Sequence, residues 1–159
     1  MPCYNAAPFV VEAVECVMGQ SHGDVELIIV DDGSTDGSKE ILQTLASSHP
    51  QRIVLLHQDR RGPYPARNLG LKHAKGDLVS FLDADDYLSQ DCLEKLAGAL
   101  ERQAADLAYC GWQNFGEGAP GSQPYVPPDY ATMDTAAEFL RSCPWPIHAA
   151  LVRREAVEA

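Results

Sequence analysis

Asp83, Asp85 and Asp86 place three carboxylates within four residues. They directly follow the apolar run Leu78-Val79-Ser80-Phe81-Leu82, whose β-branched and aromatic content reads as a buried strand. Acids at the carboxyl end of a strand stand where open α/β sheets bind ligands. Two carboxylates ~5 Å apart repel by about 3 kcal/mol at an effective dielectric of ~20, and a divalent cation would supply the countercharge. Asp83-Ala84-Asp85 has the form D-x-D. Once the chain leaves the extended conformation, both carboxylates can turn into one crevice, one to bind a cation and the other a hydroxyl or metal-bound water. Acids behind a strand also serve as solvated loop residues or helix caps, so the pattern gains weight only from its neighbours.

A second acid pair, Asp31-Asp32, follows the nearly continuous apolar run Val25–Val30, broken only by Glu26, and leads into Gly33-Ser34. Gly and Ser suit a turn that caps the next helix, while a free Asp here could accept a specific hydrogen bond from a base N–H. Arg67 near the start of a helix is unfavourable to the helix dipole, which points to an anionic partner, either a ligand or a nearby acid. Tyr4 alone would be an ordinary core or surface aromatic.

The elements that must position these residues alternate regularly. Apolar residues at Phe9, Val10, Ala13, Val14, Val17 and Met18 recur at helical spacing and stop at Gly19. The run at 25–30 predicts a strand buried on both faces, followed by a helix from about Asp36 to Ser48 that Pro50 ends. Ile53–Leu56 reads as a strand, and a helix from about Pro65 to Lys75 precedes the acid-bearing strand. Ser89 is a candidate N-cap for the next helix, with Leu88 and Leu93 as a hydrophobic staple. A strand within 106–111, a Gly- and Pro-rich loop over 116–128, a helix over 132–142 and a short strand at 148–152 complete the chain. Strands alternating with helices imply a single α/β domain over 1–159, with an open, mostly parallel sheet covered on both faces.

Composition narrows the functions. The 159 residues suffice for one domain. A net charge of −11, with 12 Lys and Arg against 23 acids, opposes non-specific binding to nucleic acid or an anionic membrane. No apolar run reaches the ~18 residues of a membrane span. Cys3, Cys16, Cys92, Cys110 and Cys143 are scattered and form no C-x-x-C pair, which favours reduced thiols in a cytoplasmic protein over a disulfide framework or zinc site.

Taken in order, Tyr4-Asn5, Val30-Asp31-Asp32-Gly33-Ser34-Thr35-Asp36, Ala66-Arg67-Asn68-Leu69-Gly70 and Gly76-Asp77 leading into Phe81–Asp86 resemble the family 2 glycosyltransferases. The resemblance covers residues 2 to about 110. It implies a GT-A, Rossmann-like fold and a nucleotide-diphosphate sugar donor, with a UDP-sugar the leading candidate. It also implies a divalent metal, Mg²⁺ or Mn²⁺, and transfer with inversion to a sugar, lipid or polysaccharide acceptor. Carried over by position, Tyr4 packs on the nucleobase, Asp32 accepts from a base N–H and Arg67 reaches the base or phosphate side. Asp83 approaches the ribose or a metal-bound water, and Asp85 ligates the metal. In the complete protein such a domain would work in the cytoplasm or at the cytoplasmic face of a membrane.

Two departures qualify the resemblance. The approach to the arginine, Arg61-Gly62-Pro63-Tyr64-Pro65-Ala66, is stiffer and bulkier than the family's small-residue version. The family's acidic general base also falls well downstream, and Glu155 and Glu158 at the start of another helix do not match it. The expectation is therefore a donor-binding half, with the first strand largely missing and the catalytic base beyond Ala159. A non-catalytic nucleotide-binding remnant is the alternative, and a metal-dependent phosphotransfer domain is a weaker one, since the lysine it needs is not found after a later strand.

Overall fold

In the computed structural model, residues 1–116, 119, 121, 123–130 and 146–158 are described. The expected helix over 132–142, together with Cys143 and Trp145, lies outside them.

Strand β2 (Leu27–Asp31) is the centre of the first half, and all five of its residues are buried. Side chains alternate between faces along a strand. Leu27 and Ile29 therefore join one core with Val10, Val14 and Val17 of α1 (Val10–Met18) and Leu42 of α2 (Ser38–Ser48). Ile28 and Val30 face the other way, onto Gly70 of α3 (Pro63–His73). This double burial is why the segment reads as an unbroken apolar run. Strand β3 (Ile53–His57) pairs parallel to β2 along its length. Strand β1 consists of Pro2–Cys3 and pairs parallel on the other side, Pro2 against Val30 and Cys3 against Asp31. The first strand is thus two residues long. The Met1 ammonium extends the ladder by donating to the Ile28 carbonyl (2.9 Å), and burial pushes its pKa down to about 5.

The second half is built differently. Strand β6 (Ala150–Arg153) runs antiparallel between β4 (Leu78–Val79) and β5 (Leu107–Tyr109). The parallel arrangement expected for the chain holds for β1-β2-β3, and the β4-β6-β5 ladder is antiparallel. A core of Leu93, Leu96, Ala97 and Leu100 from α4 (Cys92–Gln103) packs with Ala108 and Leu151 beneath it. A 3-10 turn, Ile147–Ala149, leads into β6, and α5 (Arg154–Glu158) follows it. Among the described residues no helix is long and apolar enough to cross a membrane.

Several boundaries differ from the sequence reading. The acid-bearing strand keeps its ladder only over Leu78–Val79. At Ser80 the side-chain hydroxyl donates to the Ala150 carbonyl (2.9 Å), and β6 begins there. Helix α2 starts at Ser38 because Asp36 stays outside it and accepts from the Ser38 N–H (3.0 Å) and hydroxyl (2.6 Å). Helix α3 starts at Pro63, two residues before the expected Pro65, behind Gly62 at φ +97°. Helix α4 starts at Cys92 behind Asp91, with no side-chain cap. The proposed cap Ser89 accepts from the Cys92 N–H through its carbonyl (3.0 Å) and directs its hydroxyl to Asp91 (3.2 Å). Trp112, before the Gly- and Pro-rich stretch, and Tyr125 within it form an isolated antiparallel bridge.

Candidate functional site

Asp31 and Asp32 emerge where β2 ends, and both are buried. Each has its own set of protein donors. Asp31 accepts from the Ser34 N–H (3.1 Å) and pairs with His57 Nδ1 (3.2 Å). Asp32, at 3% exposure, accepts at Oδ1 from Gln58 Nε2 (2.6 Å) and the Arg61 N–H (2.8 Å), and at Oδ2 from the Gly62 N–H (2.8 Å). Burial pushes the Asp32 carboxyl up, but these hydrogen bonds and the Arg61 charge outweigh it and hold the group below the ordinary value. A carboxylate oxygen has two lone-pair directions. Oδ1 is filled, and Oδ2 retains one acceptor position. Asp32 thus fastens the loop after β3 to the end of β2, and Gly33 permits the close approach: it lies at φ +76°, and a Cβ there would stand 3.2 Å from the Arg60 nitrogen.

The turn after β1 is fastened to the turn after β2. Asn5, at φ +50°, accepts at Oδ1 from the Thr35 N–H (2.8 Å), and its own N–H donates to Ser34 Oγ (3.1 Å). The Ala6 N–H donates to Ser38 Oγ (2.9 Å) and the Ala7 N–H to Asp36 Oδ2 (3.1 Å). These bonds orient Tyr4, which is 38% exposed and whose ring carries the Arg60 guanidinium 3.5 Å above its centroid.

The acid cluster is the third component. Arg67 on α3 reaches Asp83 Oδ1 at 2.6 Å, with side-chain exposures of 11% and 34%. Asp86 Oδ2 pairs with His148 Nδ1 at 2.7 Å. The hydrogen bond that His148 donates to Asp86 raises the His148 pKa against the opposing effect of burial. The countercharge that the sequence assigns to a cation is therefore supplied in part by the protein, through Arg67 at Asp83 and His148 at Asp86. Asp85 between them is exposed.

All five residues singled out in the sequence, Tyr4, Asp32, Arg67, Asp83 and Asp85, line one cleft of about 350 Å³, together with Arg60. A second, mostly apolar cavity of about 180 Å³ lies between the two sheets and is lined by Met1, Ile28, Leu78 and Phe81, among others. Its walls also carry Asp24, Glu26 and Arg67. Sequence reasoning missed Arg60, Asn5 and His148. Two arginines just before Gly62-Pro63 were the available signal for Arg60. Nothing local in the sequence places His148 beside Asp86.

The cleft suits a divalent cation bound jointly with an anionic ligand. Among the described residues no three His, Cys, Asp or Glu side chains gather as a complete metal cage. Mg²⁺ and related ions are commonly held by one or two carboxylates plus substrate phosphates and water, and Asp85 supplies one such carboxylate facing the cleft. Arg67 Nε is buried and lacks a hydrogen-bond partner among the described residues, a donor deficit of a kind that costs about 1–3 kcal/mol.

A parallel βαβ core with acids at its strand ends, opening into a cleft with arginine, carboxylate and aromatic walls, defines an α/β domain with a polar cleft at the ends of its strands. The profile of glycosyl transferase family 2 matches residues 1–159, and the chain belongs to that family. Among curated relatives, the glycosyltransferase EpsJ of Bacillus subtilis is 36% identical over 128 residues, covering 80% of this chain and 36% of EpsJ. The mannosyltransferase PcManGT of Pyrobaculum calidifontis, solved with GDP-Man and Mn²⁺, superposes with a TM-score of 0.73 at 25% identity, over 99% of this chain and 44% of its own. TarS 1–349 of S. aureus, solved with UDP, gives a TM-score of 0.75 at 22% identity, over 99% of this chain and 46% of its own. The chain therefore spans between about a third and a half of these proteins, and the fold is that of GT-A glycosyltransferases.

Proposed function

We propose that this domain is the donor-binding half of an inverting glycosyltransferase, holding a nucleotide-diphosphate sugar, with UDP-sugars first among candidates. The observation that carries the reading is the convergence of Tyr4, Asp32, Arg67, Asp83 and Asp85 on one cleft from four separate parts of the chain. Tyr4 supports the face of the nucleobase, and the remaining acceptor position of Asp32 Oδ2 takes a ring N–H. Arg67, whose Nε has no partner among the described residues, faces the phosphate side. Asp83, oriented by Arg67, accepts from the ribose or a metal-bound water, and Asp85 holds the metal.

When bound, a divalent ion would neutralise the diphosphate and stabilise it as a leaving group. Transfer itself needs an acceptor hydroxyl, on a sugar, lipid or polysaccharide, and a base to deprotonate it. The five cleft residues act on the donor and not on that proton. The domain binds and orients the donor.

Calorimetric titration with UDP in the presence and absence of Mn²⁺ tests this. Wild type is expected to bind more tightly with Mn²⁺, and Asp85→Ala to lose that enhancement while retaining its metal-free affinity. Absence of heat for wild type, or identical Mn²⁺ dependence in Asp85→Ala, rejects the assignment.

A further inference from the structure

Cys92 and Cys110 stand on different elements, Cys92 as the first residue of α4 and Cys110 just after β5, and both pack into the second core. Their backbones are anchored. The Cys92 N–H donates to the Ser89 carbonyl (3.0 Å), which also accepts from Gln20 Nε2 (2.8 Å). The Cys110 N–H donates to the Ala149 carbonyl (2.9 Å), which sets it beside the turn that carries His148. Between these anchors the Cys92 thiol donates to the Cys110 sulfur. That hydrogen bond, with the His148 charge behind it, pulls the Cys110 thiol down to about 7 against the opposing effect of burial. Cys92 is buried and Cys110 half-buried. Cys3 and Cys16 differ: burial pushes Cys3 up to about 11 and raises Cys16 as well, and Cys16 Sγ donates to the Ala13 carbonyl (3.1 Å). Thiols of that kind act as small apolar side chains. A half-buried sulfur with a second sulfur and an imidazole beside it is instead placed to react.

We propose that Cys92 and Cys110 form a reversible oxidation site for hydroperoxides, closing to a disulfide that joins the start of α4 to the end of β5. Cys110 reacts first, because it is the more accessible sulfur and accepts the shared proton instead of donating it. Its thiolate attacks the terminal oxygen of the hydroperoxide: an S–O bond forms, the O–O bond breaks, and the alkoxide or hydroxide leaves and takes up a proton. Cys92 then attacks the sulfenic sulfur. The S–S bond forms, the S–O bond breaks, and the hydroxyl departs as water with the Cys92 proton. Two electrons pass from the sulfur pair to the peroxide, and exchange with a dithiol reductant returns both thiols. Neither sulfur lines the cleft that holds Tyr4 and Asp85, so the site stands apart from donor binding.

The full chain is treated with hydrogen peroxide at neutral pH, its remaining thiols are alkylated, and proteolytic peptides are mapped by mass spectrometry before and after dithiothreitol. The expected product links the Cys92 peptide to the Cys110 peptide within one chain, and dithiothreitol removes the link. Cys110 should be lost to peroxide about tenfold faster than Cys16, in line with its larger thiolate fraction. In Cys92→Ser no bridge forms, and dimedone, which traps sulfenic acids, labels Cys110. In Cys110→Ser, Cys92 should stay reduced at the same peroxide dose. A bridge made by any other pair of the five cysteines, or Cys110 alkylated as fully after peroxide as before, overturns the proposal. Dimedone labelling of Cys92 in Cys110→Ser at the wild-type rate overturns the order of attack. The wild-type map decides the pairing by itself if either variant fails to fold.

Discussion

Replacing Asp32 with Asn tests whether this carboxylate is the fastening between β2 and the loop after β3. The substitution keeps the shape and removes one acceptor oxygen. In the native protein Oδ1 takes two donors, from Gln58 and Arg61, and Oδ2 takes the Gly62 N–H. The better rotamer of Asn keeps its oxygen toward Gln58 and Arg61 and turns its amide against Gly62. One backbone donor is then left buried and unpaired, at about 1–3 kcal/mol, and two charge-assisted bonds become neutral ones at roughly half their strength. A total loss of about 2–4 kcal/mol follows, a large part of the stability of a domain this size. Urea denaturation reads it as a midpoint shift of about 1–2 M, given a slope of about 1–3 kcal/mol per M. The pH dependence supplies a second arm. The carboxyl is held below its ordinary value, so its contribution is fully present above the unfolded value and is lost as pH falls through the folded one. Asp32→Asn should flatten that acid-side decline. A midpoint within about 0.3 M of wild type, with the same slope, would refute the fastening role.

Two further predictions follow from the geometry around this cleft. Gly33→Ala forces a side chain into φ +76° and against the Arg60 nitrogen. It should cost about 1–2 kcal/mol in urea and weaken UDP binding, whereas Gly37→Ala, at φ +93° with open space around it, should cost a similar amount and leave UDP affinity intact. The His148 imidazole, followed by NMR, should titrate above its ordinary value in wild type and drop in Asp86→Asn, where only the charges of Asp83 and Cys110 still oppose burial. The pair's contribution to stability is present below the unfolded pKa and disappears as pH rises through the folded value. An unchanged His148 titration in Asp86→Asn would remove the ion pair from the account.

The two halves of the chain differed in how much they disclosed. Strand β2 was legible because burial on both faces requires an unbroken apolar run, and α1 and α4 were legible because each buries one stripe at helical spacing. The convergence of the candidate residues on one cleft was legible for a related reason: strand ends in an α/β sheet converge, so Asp32 and the acids after Leu82 had to approach one another. Partner choice was not legible. Arg67 could have met a ligand or an acid, and the fold brings it to Asp83. The antiparallel insertion of β6 is a long-range event, joining Leu78 to Arg153, and local pattern carries no trace of it. The same holds for His148, whose neighbour Asp86 is distant in sequence. Helix starts were displaced by two or three residues where Asp36 or Ser89 bonded locally instead of joining the helix.

The loop Asp83–Asp86 is tied at one end to α3 through Arg67 and at the other to the turn before β6 through His148. Since α3 packs on the parallel sheet and β6 is the middle strand of the antiparallel one, these four residues act as a suture across the seam of the domain. A suture under opposing anchors transmits load. A cation drawn to Asp85 would sit between the two stitches, and the pull it exerts would be shared by both sheets instead of being absorbed by a free loop.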